Sequence, residues 1–207
     1  MNSLCTVRFA PLVLLALALP SAIAPTLAVA ASTKAAVSGP AIAAGPGIAV
    51  GMKAPIALAL KDSAGAPTSL ARHMGAKGVV VVLVRSADWC PFCKVQLIGL
   101  NDVRAELAKQ GFGLVSLSYD APATLTGFAQ SRKIAFPMLS DVGSKMIDAL
   151  QLRDPQYRGM ARIDGVPYAS TLVLARDGTV RAKKLSSDYR VRQSNAELRT
   201  MVASVAR

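Results

Sequence analysis

Two periodicities divide the chain into elements. Residues 78–85 hold five valines and Leu83 and are apolar on both faces, the pattern of a central strand buried on both sides. Cys93, Leu97, Leu100, Val103 and Leu107 then recur on one helical stripe that Gly111 and Gly113 stop. A second strand is expected over 114–119, then a helix around 124–132, an extended Phe136-Pro137-Met138-Leu139 and a short helix near 144–150. This β-α-β-α order calls for parallel strands. Residues 153–165 carry no periodicity and read as a long loop. After Val166-Pro167, strands at 171–175 and 179–185 flank Arg176-Asp177-Gly178, a hairpin signal. A last helix, 195–205, begins after Ser194 as N-cap with Glu197 in its first turn. Upstream, 52–70 suggests a small hairpin or an irregular pair of extended segments around Asp62-Ser63-Ala64-Gly65.

The amino-terminal pattern differs. Residues 9–19 are an almost unbroken apolar run after Arg8, followed by Pro20 and small residues. That is the layout of a secretory signal over 1–30, with Ala28-Val29-Ala30 as the favoured cleavage site and Ala22-Ile23-Ala24 as the fallback. Pro11, Pro20 and Pro25 argue against an uncleaved membrane anchor, because they interrupt the roughly 20-residue helix that a bilayer needs. Residues 31–51, mostly Ala, Gly, Pro and Ser with Lys34 as the only charge, read as a flexible tether. The folded domain is therefore expected over 52–207, in an exported and periplasmic protein.

Composition narrows the class. With 52% hydrophobic and 17% charged residues among 207, the chain is no disordered protein and has enough length for one domain. Its net charge of +12 falls to +11 when Arg8 leaves with the signal. Export argues against nucleic acid as the partner. The excess, much of it beyond Arg153, reads as a solvated basic face with at most a weak attraction to anionic membrane surfaces or acidic partners.

Of the three cysteines, Cys5 departs with the signal, leaving Cys90 and Cys93 in a single C-x-x-C. One such pair in an oxidising compartment fits a redox-active dithiol better than a disulfide framework. His73 is the only histidine, so the pair lacks the partners of a four-ligand zinc site, and His73 itself reads as a polar residue at a loop or helix end. No metal and no cofactor beyond the disulfide is expected. Cys90 would open the helix, where unpaired N–H groups and the positive dipole end favour its thiolate. Cys93, one turn on and facing inward, would resolve a mixed disulfide. Pro91 suits the first helical turn because its missing N–H is not needed there. Lys94 is a solvated helix residue whose charge would modestly favour the thiolate, and Trp89 packs beside the sheet.

The segment Ala87-Asp88-Trp89-Cys90-Pro91-Phe92-Cys93-Lys94 resembles the active site of the thioredoxin superfamily, with the strand before it and the helix after it. Three further stretches resemble the redoxin branch that contains the alkyl hydroperoxide reductase and thiol-specific antioxidant proteins. They are Val50-Gly51-Met52-Lys53-Ala54-Pro55, the run 115–120 with Ala135-Phe136-Pro137-Met138-Leu139-Ser140-Asp141, and 170–180. The resemblance implies an α/β thioredoxin-like fold, a mixed central sheet flanked by helices with an N-terminal extension. It also implies that Pro167 is the cis proline that faces the cysteine pair. The Pro91-Phe92 spacer is similar to the glutaredoxin type and suggests a couple less reducing than the roughly −270 mV of thioredoxin.

Departures from the relatives bear on substrate. Peroxiredoxins carry Pro-x-x-x-Thr-x-x-Cys, and the corresponding positions here are Leu83 and Ala87. Their catalytic arginine falls at about Ala169, and the buried carboxylate of thioredoxin at Val84. The expected activity is therefore exchange of the Cys90–Cys93 dithiol with protein thiols and disulfides, aided by an unidentified redox partner. A thiol-dependent peroxidase, with Cys90 peroxidatic and Cys93 resolving, is the alternative. A metal-delivery or thiol-binding module would need soft ligands such as Met138 or Met160 near the pair.

Overall fold

The computed structural model describes residues 45–206 apart from Ser187. The expected signal, and the tether as far as residue 44, lie outside the described residues. Short strands β1 (Leu60–Lys61) and β2 (Pro67–Thr68) form the amino-terminal hairpin, followed by a 3-10 turn, Leu70–His73. Then come β3 (Gly78–Leu83), α1 (Pro91–Gly99), α2 (Asn101–Lys109), β4 (Phe112–Ser118), α3 (Pro122–Arg132), β5 (Met138–Ser140) and α4 (Lys145–Ala149). A 3-10 turn at Pro155–Tyr157 interrupts the expected long loop. The chain closes with β6 (Ser170–Ala175), β7 (Val180–Leu185) and α5 (Asn195–Val205).

The strands form one mixed sheet in the order β2-β1-β5-β4-β3-β6-β7. β3 runs parallel to β4 and β4 to β5, whereas β6 is antiparallel to both β3 and β7. Every residue of β3 is buried, as its two-sided apolar pattern demands. Alternation splits its side chains between two cores: Val80 and Val82 join residues of α1, α2, α3 and α5, and Val79, Val81 and Leu83 join α4 and the amino-terminal segment. At the β6–β7 turn Gly178 has φ +85°, and a Cβ there would lie 2.8 Å from the Ala54 carbonyl oxygen. Only glycine meets both constraints without a shift of backbone.

Two expectations are corrected. The stripe from Cys93 to Leu107 is buried as expected, but it belongs to two helices. Asn195 Nδ2 donates to the Gly99 carbonyl at 2.8 Å, and the Val103 N–H turns to Leu100 O instead, so the α-helical ladder is interrupted and α1 is tied to the start of α5. The packed body also begins before Met52. Ile48 is buried, its N–H donates to Leu150 O at 2.7 Å, and Lys183 Nζ donates to the carbonyls of Pro46 and Gly47. An apolar side chain with satisfied backbone bonds is no longer tether.

Candidate active site

The chain leaves β3 and reaches α1 through residues 84–90, and a carboxylate at the end of the neighbouring strand shapes that turn. Asp120 is buried; its Oδ2 accepts from the Ala87 N–H at 2.7 Å and from Ser118 Oγ at 2.9 Å, and its Oδ1 accepts from Ser86 Oγ at 2.8 Å. Ser86 Oγ in turn accepts from the N–H groups of Asp88 and Trp89. Burial pushes the Asp120 carboxyl above its usual range, while these hydrogen bonds pull the other way. Strand, buried acid and serine thus fix where Cys90 enters the helix.

Cys90 is the N-cap of α1, and its Sγ accepts from the Cys93 N–H at 3.3 Å. The two cysteines form a disulfide with Cα atoms 5.3 Å apart. Both are buried in this oxidised form, Cys90 at 1% and Cys93 at 0% exposure. Exposure therefore does not separate their roles; only Cys90 stands at the helix end. From the segment between β7 and α5, Arg192 reaches over the pair, with Nη2 3.4 Å from Cys90 Sγ and 3.1 Å from Cys93 Sγ. Its Nε and Nη1 are buried without partners. Burial, reinforced by the positive charge of Arg85, lowers the Arg192 pKa to about 10, so the guanidinium is still cationic at neutral pH.

Aromatic rings surround Arg85, five residues before Cys90. The Arg85 guanidinium lies 4.1 Å from the Tyr189 ring centroid, 4.7 Å from Tyr157 and 5.0 Å from Trp89. Phe92 meets Tyr189 edge-on at 6.0 Å, and Trp89 Nε1 donates to Tyr119 Oη at 2.9 Å. A groove of about 340 Å³ runs past Phe92, Val95 and Gly99 to Arg190 and Arg192.

The profile of the AhpC/TSA family matches residues 50–183, well over half of the chain. The chain belongs to the AhpC/TSA family. Peroxiredoxin Bcp of Escherichia coli (strain K12) is 34% identical over 122 residues, 59% of this chain and 76% of that protein. A chloroplastic Peroxiredoxin Q of Populus jackii is 34% identical over 94 residues, 45% of this chain and 43% of that protein. The chain spans about half the length of the plant relatives it matches. Among solved structures, Peroxidoxin BcpB from Mycobacterium tuberculosis superimposes with a TM-score of 0.62 at 20% identity, over 78% of this chain and 97% of that one. The likeness establishes a thioredoxin-like fold.

Within this AhpC/TSA chain, Cys90, Cys93, Trp89, Pro91 and Phe92 lie together. Lys94 is partly exposed on α1, its N–H bonded to Cys90 O. Pro167 is buried ahead of β6 in an isolated antiparallel bridge with Arg153; its hydrogen-bonded neighbours lie in residues 152–154. Leu83, Ala87 and Ala169 are all buried apolar side chains. His73 ends the first 3-10 turn and bonds Thr68 Oγ1. Met138 is packed in the core and Met160 is half exposed.

Sequence reasoning placed no arginine on the sulfurs and left Asp120 out. Arg192 lies 102 residues from Cys90 in sequence, inside a basic stretch that looked uniformly solvated. Several of those cations have acidic partners: Arg153 pairs with Asp148 and Asp164, Lys184 with Glu197, Arg199 with Glu106. Arg192 is different because two of its nitrogens are buried with none. Asp120 carried a weak signal as the acid two residues past the end of β4. Among the described residues no helix is long and apolar enough to cross a membrane.

Proposed function

We propose that the protein is an exported thiol-dependent peroxidase in which Cys90 attacks the peroxide and Cys93 resolves the product. The observation that carries this is the Arg192 guanidinium held against both sulfurs. It supplies the fixed positive charge that seemed lost when Ala169 took the expected arginine position, and its relatives Peroxiredoxin Bcp and Peroxiredoxin Q support the same chemistry.

The Cys90 thiolate, favoured by the α1 N-terminus and Arg192, attacks one peroxide oxygen. An S–O bond forms, the O–O bond breaks, and the departing oxygen leaves as alkoxide or hydroxide and takes a proton. The charge developing on the peroxide oxygens lies within reach of Arg192. Cys93 then attacks the Cys90 sulfenic acid, water leaves, and the disulfide closes. Two thiol equivalents restore the dithiol.

A second reading, exchange with protein disulfides, is favoured by Leu83 and Ala87, whose side chains cannot donate to a peroxide. Stopped-flow oxidation of the reduced protein by hydrogen peroxide and cumene hydroperoxide, beside insulin reduction, separates the two. We expect peroxide to react far faster than with an exposed thiol, and Arg192→Gln to slow it on the order of 100-fold. A peroxide rate no better than that of a free low-pKa thiol, with brisk insulin reduction, would establish the second reading instead. Export is tested by the amino-terminal mass of protein recovered from the periplasm, expected to begin at Ala31.

A further inference from the structure

Ten large apolar or aromatic side chains are exposed among the described residues, and six of them belong to one region: Trp89 just before Cys90, Phe92, Val95 and Ile98 on α1, and Tyr189 and Val191 on the segment between β7 and α5. Cys93 and Leu97 turn to the core, so Phe92, Val95 and Ile98 hold the outward side of the helix. Tyr189 packs on Phe92, and Arg190 and Arg192 line one groove with Phe92 and Val95. Helix and segment therefore present one surface beside the disulfide. Val95 is 73% exposed and Val191 64%, too bare to be closing a core. Peroxide reduction as written uses none of these six side chains, and an apolar cluster of this kind marks a place where something docks.

Charge selects the occupant. Lys94 follows Cys93 on α1, and Arg190 lies between Tyr189 and Val191. Arg162 is brought near because its carbonyl accepts from Tyr119 Oη, which accepts from Trp89 Nε1. Arg158 follows Tyr157, whose ring lies on the same Arg85 guanidinium as those of Trp89 and Tyr189. None of these four cations takes part in an ion pair among the described residues. Two exposed acids lie among them, Asp88 and Asp188, and Asp188 Oδ1 already accepts from the Arg190 N–H at 2.9 Å, so the region keeps an excess of positive charge. The whole chain carries +12. Its field draws it toward anionic surfaces, and the apolar cluster decides which face arrives.

We propose that the face beside the Cys90–Cys93 pair docks on an anionic lipid bilayer. Trp89 and Tyr189, each a ring with a polar edge, take headgroup depth; Val95 and Val191 enter the acyl boundary; Lys94, Arg158, Arg162 and Arg190 meet lipid phosphates. A bilayer conforms to bare, protruding side chains, whereas a folded acidic protein needs a pocket for each. Docked in this way, the groove past Phe92 and Val95 to Arg192 opens toward the lipid, and the peroxides that the site meets are those carried in the membrane. That consequence rests on the peroxidase reading; the docking itself does not.

The test uses the full chain, with Trp89, its single tryptophan, as a reporter on the docking face itself. Vesicles of equal parts phosphatidylglycerol and phosphatidylcholine, with bromine on the acyl chains, are titrated in beside vesicles of brominated phosphatidylcholine alone. On the anionic vesicles Trp89 emission should shift to the blue and be quenched. Partition should be about tenfold weaker or more on the neutral vesicles, and should weaken similarly as salt is raised. Arg162→Gln and Arg190→Gln should each lower partition about fivefold, and Val95→Asp about tenfold. Insertion of the apolar run 9–19 alone would leave Trp89 unquenched and the three variants equal to wild type, and would overturn the proposal. A Trp89 response to soluble polyglutamate with none to vesicles would do the same and assign the face to an acidic protein. Peroxide oxidation of the reduced protein is recorded without lipid, so a slow peroxide step would sink the peroxidase reading and leave the docking result standing.

Discussion

Asp120 shows how a residue outside the chemistry can set its geometry. An amide at this position keeps one acceptor but presents a donor where the carboxylate accepts, so Asp120→Asn leaves one of the Ala87, Ser86 or Ser118 donors unpaired in the interior. A loss of about 1–3 kcal/mol in stability is expected, read as a lower urea midpoint. Cys90 oxidation should slow as the Ser86–Trp89 turn loosens. The pH midpoint of Cys90 alkylation should hardly move, because α1 and Arg192 are intact; a large shift would give Asp120 an electrostatic role instead of a positioning one. The sign of its own titration is also fixed. Burial raises the folded carboxyl above its unfolded value, so the folded form binds the proton more tightly. That contribution is full below about pH 4 and is lost as pH rises through the folded value. The stability gap between wild type and Asp120→Asn should therefore narrow in that direction.

Among the elements, α5 does most to hold Arg192 in place, since its N-cap Ser194 lies two residues after it. Ser194 Oγ accepts from the Glu197 N–H, and Glu197 Oε2 accepts from the Ser194 N–H at 2.8 Å, a reciprocal cap. Ser194→Ala should cost about 1 kcal/mol by denaturant unfolding. Those bonds, with Lys184, lower the Glu197 pKa to about 2, so its stabilisation is present above its ordinary 4.5 and fades as pH falls toward 2. This cap was legible because its signals are local, Ser194 followed three residues later by Glu197. So was β3, whose valines satisfy two cores at once, and so was the cysteine pair, which is one contiguous motif. The break between α1 and α2 was not, because Asn195 reaches Gly99 across 96 residues of sequence. Arg192 escaped for the same reason: nothing within its own segment distinguishes it from Arg190, and only the packing of that segment over α1 brings it to sulfur.

On the scale of the whole molecule, the β7–α5 segment carries one guanidinium, that of Arg192, onto the pair of sulfurs that α1 presents. In the disulfide form Arg192 is in no ion pair among the described residues, and burial first, then the charge of Arg85, lowers its pKa while Asp188 opposes the shift. Reduction supplies a thiolate at Cys90, an anion within reach of the Arg192 guanidinium. The reduced state should therefore be favoured relative to a thioredoxin-like pair without such charges, which places the couple above roughly −270 mV, toward the oxidising end. By the same cycle the reduced protein should melt higher than the oxidised protein at neutral pH, despite losing a crosslink that closes only a very short loop. Acid should erase that difference, because a protonated Cys90 offers no counter-charge. Equilibration with glutathione gives the potential directly, and thermal unfolding of the two redox forms across pH gives the stability difference. Arg192→Gln should move the potential down by tens of millivolts, with about 30 mV corresponding to 1.4 kcal/mol for this two-electron couple. A potential at or below thioredoxin's, or an oxidised form more stable than the reduced one at neutral pH, would mean that Arg192 does not govern the sulfur chemistry and that its approach to the pair is a feature of packing alone.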